Sequence, residues 1–322
     1  VGYLERYAKK TSGEIREGVE VSSLDGADGG FLLRTNHGDL HTSTVVLATG
    51  AYQKPHRPPG ASTLPAGLHV IDAEGYTSPG ALPEGTVLVV GSGQTGCQVA
   101  EELFEAGRET YLACGKTPWV PRRIGDHDGV YWFIQSGFMD MPLSALPSPG
   151  ARLTGNGQAT GKRGGHDLSY RTLQAMGVQL LGRFTQADDK NAHFANDLAD
   201  SVAFGDARYD DARKAVADYT SKNGLEMPEM PDPPPFDATA PEKVELARLG
   251  AVVFTSGFRP DYSSWVNLPA FDEMGFPVHE EGASKDFPGL YFVGVHFLRK
   301  RKSSLFIGVG EDAAIVARQI AG

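Results

Sequence analysis

Apolar and polar positions alternate along this chain with two different periods. Val1, Leu4, Tyr7 and Ala8 fall on one helical face at the start. Between Val19 and Leu47, short alternating bursts (VEVSSL, GFLLRT, TSTVVL) are separated by Asp/Gly and Asn/His/Gly turns and predict a three-stranded meander. The last burst runs into Ala48-Thr49-Gly50 and a proline-rich exit. Val87 to Val90 are continuously apolar, the pattern of a strand buried on both faces of a parallel sheet. That run breaks into Gly91-Ser92-Gly93-Gln94-Thr95-Gly96, and the helix predicted next sets Gly96, Val99, Ala100 and Leu103 on one face and stops at Gly107. Tyr111 to Ala113 predict the following strand. Two later strands end at glycine turns: Val252 to Phe254 run into Thr255-Ser256-Gly257, and Leu290 to Val293 into Gly294. A closing helix is predicted behind Gly308 and Gly310, with Ala313, Val316, Ala317 and Ile320 on its apolar face.

Strand, glycine cluster and helix in that order form a dinucleotide-binding fingerprint. Gly91 makes the tight turn, Gly93 lets backbone approach a pyrophosphate, and Gly96 lets helix and strand pack closely. Ser92, Gln94 and Thr95 complete the loop, and the helix start is an anion site. An NAD-specific site would end the next strand on an acid that holds the ribose 2′-hydroxyl. Here Gly115 and Lys116 occupy that position, followed by Arg122 and Arg123, so a 2′-phosphate could be neutralised and NADPH is favoured. A solvated loop is the alternative for the arginine pair. Ala48-Thr49-Gly50, Thr255-Ser256-Gly257 and Gly294 mark places where backbone could come close to a cofactor. Glu311 and Asp312 sit in the first turn of the last helix, where acids complement its dipole.

Length and composition narrow the class. With 322 residues, 40% hydrophobic, the chain can bury a substantial core and suggests two domains. A net charge of −10 argues against nucleic acid or an anionic membrane as partner. The densest basic run, Arg299-Lys300-Arg301-Lys302, could meet cofactor phosphates or an anionic substrate, or could be a solvated loop. The only cysteines, Cys97 and Cys114, form no C-x-x-C pair, and Cys97 reads as core filling. No apolar run approaches the roughly 20 residues of a membrane helix and no signal peptide precedes Val1, so a cytoplasmic protein is expected. His37 and His41 are the only close histidine pair and read as surface hairpin, so no metal site is expected. Between residues 150 and 250 stand a glycine-rich loop (GNGQATGKRGGH) that does not fit a P-loop, a helical patch from Asp210 to Lys222, and the linker PEMPDPPPF. Helix and linker read as an insert beside the active site.

The order of parts, ATG strand, nicotinamide fingerprint, TSG strand and closing G-V-G-E-D-A helix, resembles the flavin-containing monooxygenases and their bacterial FAD-dependent relatives, within the two-dinucleotide-binding flavoproteins. The resemblance implies an α/β fold of two Rossmann-like domains. Residues 1–64 and 254–322 would form a truncated FAD domain, and residues 65–253 an inserted NADPH domain. FAD would lie along Ala48, Thr49, Gly50, Gly294, Gly308, Gly310 and the helix start at Glu311 and Asp312. The family's first FAD unit, with its own G-x-G-x-x-G, has no counterpart in residues 1 to 60, so FAD binding by this chain alone is expected to be weak. The family's F-x-G-x-x-x-H-x-x-x-[YF]-[KR] stretch is matched by AGLHVIDAEGYTSP, where Tyr76 fits, Asp72 replaces the histidine, Thr77 replaces the basic residue, and His69 is out of register. The activity implied is NADPH-driven flavin reduction and oxygenation of a small organic substrate. Electron transfer without oxygen insertion, or a non-catalytic NADPH-binding fragment, are the alternatives; no catalytic residue is singled out.

Overall fold

The computed structural model describes residues 2–11, 13–154 and 157–322, so part of the glycine-rich loop (residues 155 and 156) lies outside the described residues. Two compact units emerge, each discontinuous in sequence. The first comprises Val1–Leu47, Asp261–Phe292 and Ile315–Gly322; the second comprises Ala48–Pro260 and Val293–Ala314.

In the first unit, Val21–Ala27, Gly30–Thr35 and Leu40–Thr42 form an antiparallel meander. The predicted third strand is divided: Leu40–Thr42 stays in the meander, while Val45–Leu47 leaves it to pair in parallel with Leu290–Phe292. Burial explains the break, because Val45 and Leu47 are both buried in register with the fully buried Leu290 and Phe292. His41 lies exposed on the hairpin and His37 in its turn, as expected. The helix Gly2–Lys10 forms, but it buries no residue, and Tyr3, Leu4 and Tyr7 remain exposed.

The second unit is built on a five-stranded parallel sheet in the order Gln179–Leu181, Thr110–Ala113, Thr86–Val90, Leu249–Phe254, His69–Asp72. Every residue of Thr86–Val90 is buried, as a central parallel strand requires. One face of the sheet (Val87, Val89, Leu112, Val253) packs on Cys97, Ala100 and Leu103 of the helix Gln94–Glu105 and on Leu173 of Tyr170–Met176. The other face (Leu88, Val90, Val252, Phe254) packs on Phe184, Ala192, Phe194 and Val244 of an antiparallel sheet formed by Phe184–Ala187, Asn191–Phe194 and Lys243–Glu245. The result is a three-layer unit that covers both faces of the parallel sheet.

The helical patch is longer than expected, running from Leu198 to Asn223. Its buried side includes Ser201, Gly205 and Thr220, small or polar residues that carry little hydrophobic signal. A Cβ at Gly205 would come within 2.9 Å of Trp119, so the tight packing there needs glycine. Tyr209 stacks on Trp119 at 4.7 Å and joins Trp132, Ile124, Val216 and Met230 in a separate small core. The proline stretch is strapped down: Tyr209 donates to the Pro231 carbonyl, Arg171 to that of Pro234, and Gln174 to that of Asp237. Among the described residues no helix is long and apolar enough to cross a membrane.

Candidate nucleotide site

A cavity of about 600 Å³ opens in the second unit at the carboxyl ends of the parallel strands. In this strand order Thr86–Val90 is the first strand of the wound unit and Leu249–Phe254 lies on its other side. That is a topological switch point, where open α/β sheets bind ligands. Gly91 to Thr95, Cys114 to Thr117 and Thr255 to Gly257 all reach it.

The three fingerprint glycines do different work. Gly91 has φ +105°, and a Cβ on it would stand 2.8 Å from the Thr255 carbonyl group. A Cβ on Gly96 would meet the Gly91 carbonyl oxygen at 1.9 Å and Thr255 Oγ1 at 2.7 Å. Gly93, in contrast, has nothing within 4 Å of its Cβ position, so its open side is where a ligand backbone can approach. Gly93 is also the N-cap of Gln94–Glu105, and no side chain caps that helix. Amides of the first turn are left to bind an anion, which is the fit a pyrophosphate requires.

Two polar clamps hold the loop. Thr255 donates from its amide to the Val90 carbonyl (2.8 Å) and from Oγ1 to that of Gly91 (2.6 Å), and Ser256 Oγ adds a bond to Val90 (3.0 Å). On the other side Ser92 Oγ lies 2.5 Å from the Tyr170 hydroxyl and accepts from the Gly115 amide (2.9 Å), while Tyr170 donates to the Gly115 carbonyl (2.5 Å). Ser92 therefore meets the cavity through its backbone, its hydroxyl being committed to this clamp. Gln158 donates to the Ser92 carbonyl at 3.2 Å. Burial pushes the Tyr170 hydroxyl far above the usual tyrosine range, and likewise both thiols, Cys97 and Cys114, so none of the three is a nucleophile here.

Of the cationic residues read from the sequence, Lys116 lines the cavity and has no acidic partner among the described residues. Arg122 is not in the lining; it pairs with Asp128 at 2.6 Å, and its amide donates to Asp167. Arg123 is exposed on the two-residue ladder Arg123–Ile124 with His127–Asp128. The sequence reading missed Arg183, which lies in the lining and pairs with Asp197 at 3.4 Å. It follows the third strand by two residues, a position that only the sheet order makes meaningful.

The remaining glycine turns also lie in the second unit. Gly50 and Gly294 have φ +81° and +76°, and Gln53 bridges Thr49 Oγ1 and the Gly50 carbonyl, each at 3.0 Å; Ala48 precedes them, exposed. The space beside Gly50 and Gly310 is open, whereas Gly308 is packed on the Lys302 backbone. Glu311 pairs with Lys302 and Lys300, and the buried Asp312 pairs with Arg299 at 3.0 Å. Asp140 takes Lys300 at 2.7 Å and Lys302 at 3.0 Å, and Arg301 lies over the rings of Phe138 and Phe297. The basic run is thus neither a solvated loop nor a set of free phosphate ligands; it is locked to acids and rings of its own unit. Asp72, standing where the monooxygenase group has histidine, binds Arg57 through two hydrogen bonds of 2.8 and 2.9 Å, and Tyr76 donates to Glu102 at 3.2 Å.

Known proteins share parts of this sequence and its fold. Residues 1–131 match the family described as pyridine nucleotide-disulphide oxidoreductase. A CzcO-like oxidoreductase of Geobacillus kaustophilus is 29% identical over 321 residues, covering 99% of this chain and 76% of that protein. Dimethylaniline monooxygenase [N-oxide-forming] 4 of Mus musculus is 29% identical over 109 residues, 32% of this chain and 19% of that one. A flavin-containing monooxygenase from Stenotrophomonas maltophilia superposes with TM-score 0.65 at 16% identity, over 99% of this chain and 75% of that structure. In fold the chain is similar to that flavin-containing monooxygenase. The thioredoxin reductase of T. acidophilum shares the fold more loosely, with TM-score 0.51 at 14% identity over 99% of this chain and 79% of that one. The chain thus shares the two-dinucleotide-binding flavoprotein fold.

Proposed function

We propose that the chain uses NADPH to reduce FAD and oxygenates a small organic substrate, with residues 65–253 serving as an NADPH domain inserted between the FAD-domain segments 1–64 and 254–322. The observation that carries this reading is the convergence, in one cavity, of an open glycine, an uncapped helix start and an unpaired lysine. Gly91, Gly93 and Gly96 shape the cradle, and the backbone amides of Ser92, Gln94 and Thr95 hold a pyrophosphate. Lys116 neutralises a 2′-phosphate, with Arg183, whose charge is shared with Asp197, beside the third strand, and among the described residues no acid lines the cavity to repel it. Ala48 to Gly50, Gly294, Gly308, Gly310 and the backbone at Glu311 and Asp312 hold the flavin nucleotide. Bound there, the nicotinamide supplies hydride and the flavin supplies the reaction with oxygen; the protein binds, orients and excludes water.

Electron transfer without oxygen insertion is the second reading, favoured by Asp72, which is tied to Arg57 in place of the family's histidine. The test is NADPH oxidation by the chain supplied with FAD, with oxygen uptake and product analysis in parallel. Oxygen incorporated into product supports the first reading, oxygen reduced without incorporation the second, and no NADPH binding refutes both.

A further inference from the structure

The cavity has a second cationic wall that the nucleotide does not account for. Tyr52, Pro55, His56, Pro58, Phe258 and Arg259 line it, in and beside the short antiparallel ladder of Lys54–Pro55 with Phe258–Arg259. In the sheet order this wall follows Leu249–Phe254, on the opposite side of Thr86–Val90 from the strand that leads to Lys116. Nucleotides on such sheets place the adenosine over the second strand, so this side faces the reacting end.

The two arginines near this wall differ sharply. Arg57 is neutralised by Asp72 and lies over the Phe254 ring at 5.1 Å. Arg259 has no acidic partner among the described residues, and its guanidinium Nη1 donates only to the neighbouring Phe258 carbonyl, at 2.9 Å. Burial alone depresses its pKa, and burial first, then the nearby Arg259 charge, lowers that of His56 as well. A half-buried, unneutralised guanidinium is costly unless an anion completes it, and its fork fits a carboxylate. The apolar surface beside it is Pro55, Pro58 and the edge-on pair Tyr52 and Phe258, with ring centres 5.4 Å apart.

Resting on the nucleotide reading above, we propose that Arg259 and His56 form an oxyanion subsite that takes the carboxylate of a small organic acid substrate, with the Tyr52–Phe258 pair against its apolar body. An oxyanion there could also belong to the nucleotide, and calorimetric titration separates the sources. Benzoate and its neutral analogue benzyl alcohol are titrated into the full chain with and without saturating NADP+. The expected result is benzoate binding at least tenfold tighter than the alcohol and retained with NADP+ present. Arg259→Gln weakens benzoate at least tenfold, Arg259→Lys recovers part of it, and His56→Asn weakens it severalfold, while NADP+ affinity stays within twofold. Benzoate no tighter than the alcohol, or equal in Arg259→Gln, overturns the proposal, as does a tenfold loss of NADP+ affinity in Arg259→Gln. His56→Asn keeps the test open if the arginine variant fails to fold. Absence of NADP+ binding to the unmodified chain would instead refute the nucleotide reading, leaving the benzoate titration of the free protein to decide the subsite.

Discussion

The Ser92 hydroxyl lies 2.5 Å from the Tyr170 hydroxyl, although 78 residues separate them. Through that contact the fingerprint turn and the loop carrying Lys116 become one rigid object, because Gly115 is bonded to both side chains. Tyr170→Phe removes the shared hydroxyl and leaves the Gly115 carbonyl without this donor. The expected cost is about 1–3 kcal/mol of stability, read from urea unfolding. A severalfold loss of NADPH affinity is expected with it.

The glycines of the fingerprint separate by experiment. Gly96→Ala forces a methyl into the Gly91 carbonyl and is expected to collapse the site, seen as lost nucleotide binding and a lowered Tm. Gly93→Ala has room in the free protein and costs under about 1 kcal/mol as an N-cap change. Its nucleotide affinity is nevertheless expected to fall about tenfold, since the methyl occupies ligand space. Equal stability losses in the two variants would contradict the assignment.

Lys116→Ala tests the choice of nucleotide. Losing one charge-assisted contact of about 1.5–3 kcal/mol is expected to weaken NADPH by roughly tenfold or more while leaving NADH unchanged. The ratio of the two Kd values is the readout.

Acid stability is expected to depend on His296. Burial, and then the charges of Arg152 and Arg301, lower its pKa to about 4. The folded state therefore prefers the neutral ring, and the unfolded chain binds more protons below the ordinary value of about 6.5. Stability from this group is complete above pH about 6.5 and is lost progressively as pH falls towards about 4, an effect on the order of 3 kcal/mol. His296→Asn is expected to flatten that part of the unfolding profile, measured by denaturant titration between these pH values.

The parts of this fold that were legible in the sequence are those in which one local pattern decides the outcome. Val87 to Val90 carry the pattern of a fully buried strand, and the spacing of Gly91, Gly93 and Gly96 carries its own geometry. What escaped depended on partners distant in sequence. Tyr170, Gln158 and Arg183 reach the site across 66 to 91 residues, and nothing in their neighbours announces it. Arg122 was legible as a cation, but Asp128, six residues on, claims its side chain. The first half of Leu198–Asn223 was hidden because Ser201 and Gly205 interrupt its buried face, leaving only Leu198, Val202 and Tyr209 as a sparse apolar stripe. The division of the meander's third strand followed from Leu290–Phe292, a pairing partner more than two hundred residues away.

The internal neutralisation of residues 299–302 also shapes how ligands arrive. With its densest cationic stretch spent on Asp140, Glu311, Asp312 and two aromatic rings, a chain of net charge −10 offers no broad attractive field to a polyanion. Capture rests on isolated cations felt only within roughly a Debye length of 8–10 Å. Loading of an anionic ligand is thus expected to be slow at low salt and to quicken as salt screens the net negative charge, a diffusive search that ends in a locally selective grip.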